Sequence, residues 1–318
     1  MGASVTVVRL LLKAVSGGGL PWFVGHECRA GFLRMVSELD SELAAQLHEG
    51  GGGAGGRRRA VFSLRPLSFL SGFELVYPDR AFSRFPVDGN VVFGPGARAV
   101  MSVSILREDL AGRFVVLLLP RVHELKLEVK GCLFEVERFE IEVLDARSLV
   151  ERGEPFEELD VRFETPTYFN PLRGSARYKV LYPDPAHLMA SLVATAHQLT
   201  GASYPKPEEL AEQVYVSGLD IKTPYVREVR HQAPTGFVGW VKLKAREEAC
   251  GDARRGIAGL LRLGEVTNVG GNRSGGYGVV KVEASRAGDQ RKRKAARRTG
   301  VAAQPAEQRA ENSQSEQS

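Results

Sequence analysis

Apolar and polar residues alternate along Ser4–Lys13, a Val- and Leu-rich run that predicts a first strand, closed by Gly17, Gly18 and Gly19. Between Glu27 and Leu47 the period changes: Cys28, Phe32, Leu33, Val36, Leu39, Leu43 and Leu47 recur at helical spacing, with a break near Asp40. That helical segment delivers His48 at its C-terminal end. Strands are predicted at Val61–Leu67 and Ala99–Ser104, separated by an irregular Pro78–Pro95 stretch. A helix over Arg107–Leu119 stops at Pro120, and a strand follows around Glu124–Val129. Strand, helix, strand, strand, helix, strand is the order of a ferredoxin-like βαββαβ unit.

The pattern then starts again. Leu133–Leu144 alternates strongly and Leu159–Phe169 gives a further strand. Pro183-Asp184-Pro185 opens a helix that runs through His197, with another helical stretch at Glu208–Val214. Val216–Val229 and Gly236–Ala245 read as a strand pair, Asp252–Leu263 as a helix and Tyr277–Val282 as the last strand. The chain is therefore read as α+β, two successive units of related order meeting near residues 123–133.

The segment between the last helix and the last strand carries five glycines between 270 and 278, with Asn272, Arg273 and Ser274 among them. Glycine permits positive φ and leaves backbone amides unshielded, so such a loop can admit a polyanion. It is not a dinucleotide fingerprint, which follows a strand and opens a helix; here a helix precedes and a strand follows. It is not a Walker A loop, because no Gly-Lys-Ser/Thr closes it. A turn that merely links two elements stays open as the alternative.

Charge adds less than its total suggests. Of the net +5, residues 286–318 supply +4, through eight Lys/Arg against four acids, so the body is near neutral and a nucleic-acid surface on it needs local clustering. The polar tail from 286 is read as disordered. Arg57, Arg58 and Arg59 form one cluster, after the Gly50–Gly56 breaker. A second candidate RNA surface is Lys222, Arg227, Arg230 and His231, with cationic and aromatic groups on alternating positions. Three scattered cysteines make neither a disulfide frame nor a CxxC metal site. No apolar run reaches the ~18 residues of a membrane span, so a cytoplasmic location is expected, with no cofactor and no metal.

A glycine-rich loop running into Gly276-Tyr277-Gly278 near the end of the last unit resembles the C-terminal signature of the RAMP superfamily. Within it, the chain resembles the CRISPR-associated endoribonucleases that process precursor CRISPR RNA. The pieces that carry this likeness are His26, the Leu43–Glu49 segment, Phe62-Ser63-Leu64-Arg65-Pro66-Leu67, Thr165-Pro166-Thr167, Gly236–Trp240 and the glycine loop.

The resemblance implies two tandem ferredoxin-like (RRM-like) domains, 1–125 and 126–285, a tail from 286 to 318, and metal-independent cleavage within a CRISPR repeat RNA. It implies His48 as the first choice for the catalytic imidazole, with Arg57 and Arg58 steadying the phosphate where relatives place a Lys; His26 is the runner-up, with an RNA-holding role or a plain polar position near the helix start as its alternatives. Independently, His48 lies between a helix end and a flexible run; a plain helix-capping role is the alternative. The implied RNA contacts are Arg57, Arg58, Arg59, Lys222, Arg227, Arg230, His231, Gly270, Gly271, Asn272, Arg273, Ser274, Gly276 and Tyr277. A homodimer and hand-over of product to a CRISPR effector complex are the further partners implied. A RAMP protein that binds repeat RNA without cutting it is the competing reading.

Overall fold

The computed structural model describes residues 3–49, 61–76, 89–172, 178–224 and 236–284. The first sheet is built from β1 (Ser4–Ala14), β2 (Gly18–Pro21), β3 (Phe62–Val76), β4 (Asn90–Ile105), β5 (Lys126–Val129) and β6 (Cys132–Asp145). Its order is β2-β4-β1-β6-β5, with β3 on the other side of β4. Helices α1 (Gly25–Leu39), α2 (Ser41–Glu49) and α3 (Glu108–Leu118) accompany it. Their apolar stripes, including Cys28, Phe32, Met35, Leu43, Leu47 and Phe114, share one core with Val8, Leu10 and Leu12 of β1. At the break between α1 and α2, Asp40 has extended backbone, and its carboxylate accepts from the amide of Leu43 at 3.0 Å, which caps α2.

The second sheet has the order β10-β7-β9-β8. Its strands are β7 (Glu158–Thr167), β8 (Val214–Lys222), β9 (Phe237–Ala245) and β10 (Val280–Ala284). After the short α4 (Ala146–Glu151), helices α5 (Pro185–Thr200), α6 (Pro207–Ala211) and α7 (Gly251–Thr267) cover it. Asp184 caps α5 by accepting from the amide of His187 at 3.0 Å, with Pro185 in the first turn, the start its sequence predicts. With strands numbered within each half, both sheets read 4-1-3-2, the ferredoxin-like topology, so the tandem α+β architecture stands.

The assignment of strands to halves needs one correction. Glu124–Val129 was expected as the fourth strand of the first unit, and Leu133–Leu144 as the first strand of the second. Instead β6 pairs along the whole of β1, from Ser4 opposite Asp145 to Ala14 opposite Phe134, and is the first unit's fourth strand. The four-residue β5 only extends the edge as a hairpin with β6. Length decides: fourteen alternating residues satisfy the backbone of β1, which four cannot. The sheets therefore divide after Asp145.

Three further boundaries differ. β3 and β4 run well past their predicted ends, through register shifts, and take in part of the stretch read as irregular. Helix α7 passes through Gly264 rather than ending there. A methyl at Gly264 would sit 2.7 Å from a Leu192 methyl, so the glycine serves close packing of α7 on α5. The last strand begins at Val280, and Tyr277 belongs to the loop.

Alternate residues of β1 serve different cores. Val5 and Val7 lie in the second apolar cluster with Leu106, Leu261 and Val280, while Val8, Leu10 and Leu12 lie in the first. Burial on both sides of one strand ties the halves together.

Candidate nucleic-acid site

At the end of α7 the chain turns through Asn268, whose φ of 57° and ψ of 168° are a region almost reserved for glycine. Holding a non-glycine residue there costs about 1–3 kcal/mol. The compensation is visible in its side chain. Asn268 is 2% exposed, and its Nδ2 donates to the carbonyls of Leu64 at 2.9 Å and Tyr277 at 3.1 Å. One side chain thus joins β3 of the first half to the glycine turn of the second.

Two more groups from the first sheet close the same helix end. Arg65 donates to the carbonyls of Glu265 and Val280, and the Ser104 hydroxyl donates to the carbonyl of Val266 at 2.7 Å. The Glu265 and Val266 carbonyls are last-turn acceptors that a helix leaves unpaired, and a cation beside them also suits the helix dipole; the Val280 carbonyl is on β10. Burial pulls the pKa of Arg65 down, opposed by the nearby charges of Glu164 and Glu265.

The glycines act mainly through packing. Gly276, at φ 80°, lies against Pro66, whose Cγ is 2.5 Å from where a Cβ would stand. Gly278, at φ 72°, would drive a Cβ into the carbonyl of Val269. Gly25, in the first turn of α1, abuts the carbonyl of Gly275, so helix and turn touch backbone to backbone. Many loop amides are already spent: Gly270 donates to the Ser191 hydroxyl, Gly271 to Tyr168, Gly275 and Tyr277 to Asn272, Gly276 to Arg273 and Gly278 to Pro166. An open cradle of amides at Gly270, Gly271 and Gly276 is therefore corrected. The glycines let the turn pack against its neighbours, and those neighbours take the hydrogen bonds.

Of two side chains expected to meet RNA, Arg273 is half-buried and bonded to protein groups, and Tyr277 faces inward. Arg273 donates to the Thr195 hydroxyl at 2.8 Å and to the carbonyl of Thr267, bridging α5 to the end of α7, and burial pushes its pKa down to about 10. It acts as a structural brace. Tyr277 is fully buried, with its ring edge-on to Phe23, His26 and Tyr168 at centroid distances of 5.0, 5.6 and 5.9 Å. It has no free face to stack on a base.

What the turn does hold is His26. Its Nε2 lies 3.2 Å from Nδ2 of Asn272, which is itself in left-handed conformation at φ 55°. His26 is in the first turn of α1, so the close contact of Gly25 with Gly275 places an imidazole and a carboxamide side by side. One turn further along α1, Arg29 has a buried Nε with no hydrogen-bond partner among the described residues. His48 is exposed near the end of α2, and among the described residues it makes no hydrogen bond or ion pair with the turn. Lys222 ends β8, half-buried. Arg57, Arg58, Arg59, Arg227, Arg230 and His231 lie outside the described residues.

A cleft of about 1130 Å³ opens between residues of both sheets and is lined by Trp22 and Trp240. Its four arginines (Arg9, Arg65, Arg162, Arg262) are matched by four carboxylates (Glu142, Glu164, Asp220, Glu265). Arg9 pairs with Glu142 at 2.8 Å and Arg262 with Glu265 at 2.9 Å. Among the described residues its lining carries no charge excess, so they alone do not give it the electrostatic footprint of a polyanion groove.

Residues 161–280 match the model of the CRISPR-associated endoribonuclease Cas6 family. The fold is similar to that of a solved Cas6 (TTHB231) product complex, the protein of Thermus thermophilus, with which it aligns at a TM-score of 0.62 and 20% identity, over 88% of this chain and 100% of the other. A Cas6 (TTHA0078) product complex aligns at 0.57 and 22% identity over the same shares. A Cas6-related protein from Pyrococcus furiosus aligns at 0.51 and 9% identity, over 89% and 100%. No curated protein sequence matches at significance. The Cas6 match takes in the second sheet from β7 onward together with the glycine turn. Asn268 and Arg65, which fasten that turn to the first half, escaped sequence reading because neither hydrogen bond follows a local pattern. The only hint was Arg65 within the Phe62–Leu67 segment.

Proposed function

We propose that this chain is a CRISPR repeat endoribonuclease that cuts precursor RNA without a metal ion. The observation that carries the reading is the contact between the glycine turn and the first turn of α1, with His26 3.2 Å from Asn272. The Cas6 match to residues 161–280 and the solved Cas6 complexes with product or substrate mimic support the same substrate class.

RNA carries its own nucleophile. A base removes the proton of a 2′-hydroxyl, its oxygen attacks the neighbouring phosphorus, and the P–O5′ bond breaks as an acid protonates the leaving oxygen. The products are a 2′,3′-cyclic phosphate and a 5′-hydroxyl. Imidazole suits both proton steps, since it exchanges protons near neutrality. His26, held at the turn, and the exposed His48 are the two imidazoles assigned to them. Arg57 and Arg58 are assigned to charge on the phosphate, which guanidinium clamps well but does not protonate. Arg273 and Tyr277 are assigned to holding the turn rather than to RNA.

The test is incubation with a repeat RNA in EDTA. The reading expects cyclic-phosphate and 5′-hydroxyl ends, with binding kept and product lost in His26→Ala. Tight binding without product favours a RAMP protein that only holds RNA, and a requirement for a divalent ion refutes the mechanism.

A further inference from the structure

We propose that Asn268 is a positioning residue that sets where the His26 imidazole stands relative to the glycine turn, an inference that rests on the proposed role of His26. Its backbone conformation suits glycine, and the chain is glycine-rich at this very point, yet the position holds asparagine. The side chain explains the choice. The carboxamide donates at once to Leu64 on β3 and to Tyr277 in the turn, 204 residues and 9 residues away. Tyr277 in turn packs edge-on against His26, and Asn272 meets the imidazole from the same loop. The path from β3 through Asn268 to Tyr277 and His26 is continuous and short.

The rest of the interface already fastens α7 to the first sheet, through Arg65 and Ser104 on the carbonyls of Glu265, Val266 and Val280. Asn268 adds a different link, the only one of these that reaches the carbonyl of the tyrosine beside His26. Its Oδ1 is buried with no hydrogen-bond partner among the described residues, so the site keeps the carboxamide although half of it is unsatisfied. An asparagine that sits here against both backbone preference and polar satisfaction is explained by what its two donated bonds hold in place.

Asn268→Gly separates the roles, because glycine relieves the backbone while deleting the link. In the full chain, the expected result is thermal stability close to wild type, KM for repeat RNA within about twofold, and kcat lower by about tenfold to a hundredfold, the cost of a displaced catalytic group. The His26 ring proton resonances, which sense the ring current of Tyr277, should shift in the same variant. A folded Asn268→Gly protein with wild-type kcat and unchanged His26 resonances overturns the proposal. Should the variant not fold, hydrogen exchange on the wild type decides: slow exchange of the Asn268 carboxamide protons is required, and exchange as fast as an exposed amide refutes it. A wild-type chain that binds but never cuts repeat RNA refutes the nuclease reading instead, and the ring shifts then decide positioning alone.

Discussion

Single side chains here divide into those that do chemistry and those that hold others still. In the proposed mechanism His26 belongs to the first group, and His26→Ala should lower single-turnover cleavage by about 10²–10⁴-fold, the usual worth of a proton-transfer residue, with RNA affinity retained in a gel-shift measurement. Arg273 belongs to the second. Replacing it with Ala removes a charged donor from the Thr267 carbonyl and from the Thr195 hydroxyl, which keeps its own bond to the Ser191 carbonyl, so chemical denaturation should show a loss of about 1–3 kcal/mol. The salt dependence of RNA binding should not change, whereas deleting a phosphate contact lowers that slope by about one. Cys28 supplies a pH test. Burial raises its thiol from 9.0 to about 12, so the folded protein keeps it protonated while the unfolded chain ionises above about 9. Its contribution is therefore complete below pH 9 and lost as the pH climbs toward 12; Cys28→Ala should flatten that alkaline fall in stability relative to wild type.

At the scale of elements, the joint between α1 and the glycine turn is the critical one. Gly25→Ala puts a methyl against the carbonyl of Gly275, and the turn and helix must separate. Cleavage should fall more than RNA affinity, measured as kcat against KM, because the joint orients His26 rather than supplying charge. The helices and strands of this joint were legible in sequence: the 3.6-residue period of α1 and α2, the Asp184–Pro185 start of α5 and the alternation of β1 all follow local rules. Pairing was not. The alternation of Cys132–Asp145 reveals a strand but not its partner, and the short β5 before it completed a plausible sixth element too early. The glycines likewise announce an unusual turn without saying whether a ligand or the protein's own backbone needs the space. Here neighbouring backbone, Pro66 and the Tyr168 ring need it.

The whole molecule joins two ferredoxin-like halves through shared strand β1, the Arg65, Ser104 and Asn268 bonds, and a neutral cleft. Since residues 286–318 hold +4 of the net +5, deleting them should weaken RNA binding uniformly across sequences and flatten its dependence on salt, with cleavage at saturating RNA unchanged. No helix among the described residues is long and apolar enough to cross a membrane. The central proposal is a metal-free cut by two imidazoles, that of His26 at the joint of the two halves and that of His48. It is tested most directly by following a labelled repeat RNA in EDTA with the wild-type, His26→Ala and His48→Ala proteins, and by mapping the ends of any product. The account predicts a 2′,3′-cyclic phosphate and a 5′-hydroxyl from the wild type and a rate at least about a hundredfold lower in each variant. Wild-type rates in both variants, or cleavage that appears only when a divalent ion is restored, would contradict it.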